Sequence, residues 1–343
     1  MTATVTALSA VTGFVRDRAA DLDEGRTDIR ADIGEIGGRG LLSAGLGDSD
    51  IREITEVVEQ VAAESLAAGF SLWAQRMTLE YLWRAPESVR DRYLGELSSG
   101  RRIGVTAMAA ALKHLAGLGE LPLRAEGAEG DRVRGPIAWA SNVFRDSVIV
   151  FPFRGSDGRG RVGVVDADTE GVRIRPAPEL LALGATASTA LTFEQVEVRP
   201  DHLVTADLPG FCGAIRPVFL LLQSAFCTGI AGTAVQESGH RLDGLGAQFR
   251  DEYRVLADRY ATTRQALYDH AADAHATPPA ELLRLRLATA RLAVEATRLE
   301  STLCGGAGYA LRCGTNRRFR EAAFLPVQSP SEGQLRWELS QYD

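Results

Sequence analysis

The sequence predicts an α+β protein in which two helical segments flank a small antiparallel β domain. Three patterns predict it. From residue 1 to about 100, apolar residues recur at helical intervals; Ile51, Ile54, Val58 and Val61 share one face with glutamates between them. From 101 to 207 the chain changes to short segments that alternate apolar and polar residues, punctuated by Gly, Pro and Asp. Strands at that spacing, with no helical stretch between them, point to a compact antiparallel barrel or sandwich and not a parallel sheet. From 208 to 343 long helical patterns return and read as a bundle. The expected domains are therefore 1–100, 101–207 and 208–343, the first and last sharing one core.

Taken in order, Val11 to Leu22 is amphipathic and Asp28 to Gly38 ends on a glycine pair. Ile51 to Ala68 and Phe70 to Leu82 read as helices, and Pro86 opens a short one reaching Leu97. Met77 and the neighbouring aromatics suit a core better than a binding site. The strand candidates begin at Ile103 and include Leu123–Glu126, Arg132–Asn142, Val148–Phe151, Arg161–Asp166, Val172–Arg175 and Ala190–Val198, with a glycine-rich turn at 127–130. In the last third, Val218 to Gly239, Tyr253 to His275 and Pro279 to Leu303 are helical. Cys304-Gly-Gly-Ala-Gly-Tyr309 breaks the pattern before a helix from Arg317 to Phe324.

Composition narrows the function. Of 343 residues, 45% are hydrophobic and 24% charged, as in ordinary globular proteins. A formal charge of −7 disfavours nucleic acid or an anionic membrane as the main partner. All but one of the 38 basic residues are arginine, so Lys113 is the single candidate for Schiff-base chemistry, and its sequence neighbours do not recommend it. No apolar run reaching about 18 residues is evident, and the N-terminus lacks a secretory pattern, so a cytoplasmic protein is expected. Cys212, Cys227, Cys304 and Cys313 show no CxxC spacing and read as reduced thiols. His270 and His275 are five apart, off the helical face a ligand pair prefers, so no metal is expected. There is no Gly-x-Gly-x-x-Gly unit after a strand and no Gly-x-Ser-x-Gly elbow, which disfavours Rossmann enzymes and serine hydrolases.

The stretch with most chemical content is Val133-Arg-Gly-Pro-Ile-Ala-Trp-Ala-Ser-Asn142. It reads as a strand, a tight turn at Gly135-Pro136, and a second strand carrying Trp139. A flat ring beside the short hydroxyl of Ser141 offers stacking area and a hydrogen-bonding group to a planar heterocycle. A tryptophan half-buried in a sheet fits the same ten residues.

The helix–β–helix order, with that strand in the middle and Gly305-Gly-Ala-Gly-Tyr309 near the end, resembles the acyl-CoA dehydrogenase superfamily, which includes flavin-dependent monooxygenases. Ile36-Gly-Gly-Arg-Gly-Leu-Leu42 is similar to the family's Leu-Gly-Leu-Leu turn, and Arg134–Asn142 to its Gly-x-Lys-x-Trp-x-Thr/Ser-Asn strand. Leu183–Pro200 is similar to the exit from its β domain, and Arg320-Glu-Ala322 to its Arg-Asp-Ala. The resemblance implies an N-terminal helical domain, a central β domain and a C-terminal four-helix bundle, with FAD (or FMN) in a cleft between β domain and bundle. It implies Trp139 against the isoalloxazine, Ser141 near N5 and Thr106 at the pyrimidine edge. It further implies Gly305, Gly306 and Gly308 beside the adenosine diphosphate of FAD bound mainly by a neighbouring subunit, hence a homodimer or homotetramer. Glycines allow such close backbone approach.

The departures bear on the reaction. Where the family has Glu-Pro-Gly-Ala-Gly-Ser-Asp, this chain has Ala107-Met-Ala-Ala-Ala-Leu-Lys113, without the serine that meets a thioester. Arg241 and Arg250 are imperfect stand-ins for the family's cofactor-phosphate arginine. The family's glutamate base, counted nine residues on from Arg320, falls on Ser329; the nearest acid is Glu332, and the alternative base position aligns near Phe219. Three readings follow. The first is a dehydrogenase or oxidase acting on a small substrate linked to CoA or a carrier protein, or similarly activated, in which Glu332 or a base the substrate brings removes a proton, flavin N5 accepts the hydride, and an electron-transfer partner follows. The second is a reduced-flavin monooxygenase served by a flavin reductase, which needs no carboxylate. The third is a non-catalytic subunit of a hetero-oligomer.

Overall fold

The computed structural model describes residues 3–126 and 132–342; the glycine-rich turn expected at 127–130 lies outside them. Five helices come first: α1 (Ala3–Asp23), α2 (Arg30–Gly38), α3 (Arg52–Glu64), α4 (Leu66–Trp83) and α5 (Glu87–Ser98). The pattern that reads as one helix through Ala68 is split at Ser65, which is extended (φ −153°) and caps α4 by accepting from the Ala68 amide at 3.4 Å. α4 is buried from Leu66 to Leu82 on every face, so it is the central rod of the molecule. Its polar side chains find partners there. Gln75 donates to the Leu97 and Arg102 carbonyls (2.8 and 3.0 Å) and accepts from the Gly104 amide (2.6 Å), joining α4 to the first strand.

The sheet comprises β1 (Gly104–Thr106), β2 (Arg124–Glu126), β3 (Arg132–Ala140), β4 (Val148–Arg154), β5 (Gly160–Asp166), β6 (Val172–Ile174), β7 (Thr189–Glu197) and β8 (Leu203–Thr205), with a short helix α6 (Ala109–Leu115) after β1. Its order is β6-β7-β3-β2-β4-β5-β8, with β1 also beside β4. Three expectations change here. The sheet is open and not a closed barrel, since among the described residues β6 pairs only with β7 and β8 only with β5. It is not wholly antiparallel, because β1 and β2 both run parallel to β4. A helix also interrupts the strands. Alternation reports which face of a strand is buried; it is silent on the neighbour and its direction. The expected turn at Gly135-Pro136 is instead an irregularity within the continuous strand β3. Gly135 has φ 133°, the register against β7 shifts there, and a Cβ would sit 2.3 Å from the Pro122 carbonyl oxygen.

β4 shows how the sheet is held. Val148 and Val150 join a core shared with the helices, while Ile149, Phe151 and Phe153 join a second core on the other face with Phe193 and Val133. The helical core runs continuously from Leu8 to Leu335, so the N- and C-terminal helices share it.

The C-terminal part has three long helices, α7 (Leu208–Gly239), α8 (Arg250–Ala271) and α9 (Pro279–Cys304), and two short ones, α10 (Gly314–Ala322) and α11 (Glu332–Leu339). α7 starts ten residues before the apolar pattern because Asp207 caps it, accepting from the Gly210 amide at 3.1 Å. Contrary to the sequence reading, α7 is long and apolar enough to cross a membrane; 89% of that stretch is buried among α3, α4, α8 and α9, where a core helix needs apolar residues all round.

Asn142 joins the sheet to the helical body. It is fully buried and left-handed (φ 66°), a conformation asparagine tolerates. Its side-chain amide donates to the carbonyls of Ser71 in α4 (3.0 Å) and Gly104 in β1 (3.3 Å), and its backbone N–H donates to the Thr186 carbonyl (2.7 Å). Asn142→Ala is expected to cost about 3–4 kcal/mol, about 1 for each of the two lost side-chain hydrogen bonds and about 1–2 for alanine in the left-handed region. Asn142→Gly should recover about 1 kcal/mol of that, read by urea unfolding; equal losses for both would remove the backbone part of this account.

Candidate active site

Between the sheet and the helical body lies a cavity of about 850 Å³. β1, β3, α4, α6, α7 and the chain after α10 all contribute to its wall. The helical side is aromatic. Phe70 stacks on Trp73 (centroids 5.4 Å), and Trp73 meets Phe219 edge-on (4.9 Å), its indole N–H donating to the Phe219 carbonyl at 3.3 Å. Trp73, expected in the core, is therefore both core and wall.

Facing it, the cavity gathers three residues singled out from the sequence: Thr106, Trp139 and Ser141. A break in strand alternation explains Trp139. Ile137 and Ala140, three apart, both point inward to the sheet core because the register against β7 shifts between them, and this leaves Trp139 59% exposed on the cavity side. A tryptophan that open, at the wall of an otherwise apolar chamber, is a surface held ready for contact. Thr106 shares a hydrogen bond with buried Tyr81 (2.9 Å), whose hydroxyl burial pushes well above its ordinary value, so it stays protonated.

Ser141 belongs to a chain of hydroxyls. Its Oγ lies 2.7 Å from Ser188 Oγ, Ser188 Oγ lies 2.7 Å from Thr186 Oγ1, and Thr186 donates to the Leu183 carbonyl at 2.7 Å. Leu183 and Ala187, at the ends of this short turn, both have positive φ (64° and 47°). Non-glycine residues in that region cost about 1–3 kcal/mol each and persist where surrounding structure imposes them. Ser188 and Thr186 were not legible as site residues. Their signal was the run Thr186-Ala-Ser-Thr189 just before a strand, which alone reads as turn and strand edge.

The remaining sequence candidates lie elsewhere. Glu332 is outside the lining, at the start of α11, held by Arg291 (2.8 Å) and Arg336 (2.5 Å). The Arg291 hydrogen bonds chiefly, then those of Arg336, hold its carboxyl below the usual range, which suits a fixed anion and not a proton acceptor. The spacing from Arg320 places an acid near the site but leaves its direction open, and the helix start turns it away. Gly305, Gly306 and Gly308 form a short turn after α9, also outside the lining, with Gly305 and Gly306 exposed. Arg241 pairs with Glu237 (2.8 Å) and Arg250 with Asp243 (3.3 Å). Phe219 is a wall residue.

Ser329 does reach the cavity. Its Oγ is buried with no partner, while its carbonyl accepts from Gln223 (2.9 Å) and Gln328 (2.8 Å). Behind both amides stands Arg286, wholly buried, donating to Gln223 Oε1 (3.0 Å) and Gln328 Oε1 (2.7 Å). Burial pushes this guanidinium below its ordinary value. Arg320 braces the wall through Asp23 (2.6 Å), and Lys113, unpromising by sequence, lines the cavity with Glu120. Glu120 is the one carboxylate among the described lining residues; its side chain is 65% exposed and pairs with Arg154 at 3.1 Å. No group of three or more metal-ligating side chains occurs among the described residues.

No family model and no curated protein matches this sequence. Solved structures do match over nearly the whole chain. Butyryl-CoA dehydrogenase from Megasphaera elsdenii superposes with a TM-score of 0.86 at 14% identity, covering 100% of this chain and 98% of that one. A nitrososynthase from Micromonospora carbonacea var. africana gives 0.79 at 18%, covering 99% and 95%. Dibenzothiophene monooxygenase from Paenibacillus sp. A11-2 gives 0.76 at 17%, covering 99% and 96%. The chain thus has the acyl-CoA dehydrogenase fold. Proteins named for dehydrogenation and for oxygenation share it, so the reaction has to be argued from the site.

Glu332→Gln is expected to leave ligand binding in the cavity unchanged and to alter stability by no more than about 1 kcal/mol, the usual worth of half-exposed ion pairs. Because the carboxyl's folded value is depressed, its contribution is complete above the unfolded value of about 4.3 and is lost as pH falls through the folded value. Denaturation curves of the two proteins should therefore converge only on the acid side; a large effect of Glu332→Gln on ligand binding at pH 7 would overturn its placement outside the site.

Proposed function

We propose that this protein is a flavin-dependent oxidoreductase working as a reduced-flavin monooxygenase on a small, largely apolar substrate. The observation carrying this reading is the acid content of the cavity. The position where the family resemblance puts a base is Ser329, Glu332 faces away, and Glu120 is a paired rim residue. A positioned base contributes roughly 10²–10⁴-fold where a proton must be removed, so a dehydrogenase would forfeit that factor here. The dehydrogenase reading, acting on a CoA- or carrier-linked substrate, is correspondingly less well supported.

The wall fits a flavin. Open Trp139 offers a flat face, Thr106 and Ser141 offer hydroxyls, and buried Ser329 Oγ lacks a partner that a ligand could supply. Bound there in reduced form, the flavin would supply the activation of dioxygen. This chain's own part is to bind and to exclude water. Trp139 holds the ring system by stacking, Ser141 holds its polar edge, and Thr106 with Tyr81 fixes a second hydroxyl. Phe70, Trp73, Phe219, Ala107, Ala109 and Ala110 make an apolar wall for an apolar substrate, whose polar group Ser329 Oγ can meet. The turn of Gly305, Gly306 and Gly308 lies away from the cavity, with Gly305 and Gly306 exposed, and is left to a second copy of the chain if the cofactor is FAD. A flavin reductase would be the electron-supplying partner, and a cytoplasmic location agrees with that supply.

Titration of the purified protein with FAD and FMN, each oxidised and reduced, tests the cofactor. Trp139→Ala should weaken binding about tenfold to a hundredfold, since stacking a heterocycle on an aromatic side chain is worth about 1–3 kcal/mol and each 1.4 kcal/mol is tenfold. Oxygen uptake on a panel of apolar aromatic substrates, with flavin supplied by a reductase, tests the reaction. Anaerobic bleaching of bound oxidised flavin by acyl thioesters would instead establish the dehydrogenase.

A further inference from the structure

The hydroxyl chain that ends at Ser141 has a fixed polarity. It contains three oxygen–oxygen contacts: Ser141 to Ser188, Ser188 to Thr186, and Thr186 to the Leu183 carbonyl, each 2.7 Å. Two oxygens that close repel unless a proton lies between them, so each contact needs one. Three hydroxyls supply three protons. The Leu183 carbonyl carries none, so the Thr186 hydroxyl must donate to it. Thr186 can then only accept from Ser188, and Ser188 can only accept from Ser141. Every proton is used inside the chain. Ser141 therefore turns lone pairs, and no proton, toward the cavity.

The polarity rests on structure that resists rearrangement. Thr186 is fully buried, and its turn is held by donation from the Asn142 amide to the Thr186 carbonyl (2.7 Å) and from the Val143 amide to the Ala187 carbonyl (3.3 Å). The positive φ of Leu183 and Ala187 bends the turn so that its hydroxyls line up behind Ser141.

We infer that Ser188 and Thr186 are positioning residues that make Ser141 an obligate acceptor, so that the site selects a ring N–H donor, and in a flavin the N5–H of the reduced form over the bare N5 of the oxidised form. Oxidised N5 carries a lone pair, which would face the lone pairs of Ser141; reduced N5 carries a hydrogen that Ser141 can accept. This rests on the flavin reading above and goes beyond it by naming the two residues that set the preference for the reduced form and the direction of the proton through which they act.

The test is the ratio of dissociation constants for oxidised and dithionite-reduced FAD, with FMN run in parallel, measured anaerobically on the whole protein and its variants. Ser188→Ala leaves Ser141 free to donate to oxidised N5. The ratio Kd(oxidised)/Kd(reduced) is expected to fall about tenfold, the worth of one hydrogen bond made or lost. That corresponds to about a 30 mV drop in the two-electron potential of the bound flavin. Thr186→Val frees the Ser188 proton and should shift the ratio the same way, whereas Thr186→Ser keeps the chain and should restore the wild-type ratio. Thermal unfolding of each variant identifies any that fail to fold, in which case the remaining pair decides. If flavin binds and the ratio stays within twofold across Ser188→Ala and Thr186→Val, the inference falls and the flavin reading stands. If neither redox form of either flavin binds, both fall.

Discussion

The structure depends on the burial of one asparagine at the end of β3. Asn142 is the point where the sheet, the central helix α4 and the Leu183–Ala187 turn meet, and its amide and backbone bond to all three. A buried amide left without these partners would cost several kcal/mol, so the three elements cannot slide apart independently. Trp139 and Ser141 lie within three residues of this point and inherit its rigidity. The strained turn inherits it too, since a left-handed leucine and alanine persist only where neighbours leave no alternative. Site residues supported by elements tied in this way are placed far more sharply than residues on a free loop.

A second regularity follows from arginine being almost the only cation. Acids near the helical core are captured by it: Asp23 by Arg320, Glu300 by Arg318, Glu332 by Arg291, Asp32 by Arg18. A fork-shaped guanidinium suits such capture, since it holds two oxygens at once. Arg286 breaks the pattern, because its partners are two glutamine oxygens, a carbonyl and the Cys227 sulfur, with no carboxylate among them. Its effect is to orient Gln223 and Gln328 so that both amides grip the Ser329 carbonyl, fixing the neutral residue that stands where the family resemblance places an acid. The wall at Ser329 is thereby fixed, and the one carboxylate among the described lining residues is Glu120, paired with Arg154.

How far the sequence showed this depends on what kind of fact each feature is. Helices were legible because burial repeats along them; Ile54, Val58 and Val61 are buried as their spacing requires. The strand bearing Trp139 was legible as a strand, but its tryptophan reaches the cavity side through a register shift between Ile137 and Ala140 that alternation does not encode. Pairing was not legible. The parallel neighbours of β4 are brought together by chain paths that residue alternation does not encode. Glu332 was misplaced because counting along a chain gives distance without direction, and Ser331 starts a helix there by capping it. Lys113 was dismissed by its sequence neighbours and lines the cavity through a helix the strand pattern concealed. Ser188 and Thr186 matter only through contacts with a residue 47 positions away in sequence, in the case of Ser188.

The polarity of the hydroxyl chain adds a kind of specificity that the identity of the wall residues alone cannot provide. A serine facing a cavity is ordinarily ambiguous, donor or acceptor as the ligand demands. Here the ambiguity is removed three links away, at the Leu183 carbonyl, which can only accept, and the consequence is transmitted through the Thr186 and Ser188 hydroxyls to Ser141. A site built to accept penalises a ligand that must also accept, because the mismatch leaves two buried lone pairs facing each other, and such mismatches discriminate more strongly than a missing methylene. Combined with a wall that offers a stacking surface and withholds an unpaired acid, this defines a chamber that recognises its ligand by shape and by the direction of one proton. Among the described lining residues the titratable groups include Lys113 at the wall and Glu120 paired with Arg154 at the rim, so the proposed oxygen chemistry would ask of the protein chiefly what the remaining residues suit, which is to hold and orient a ligand.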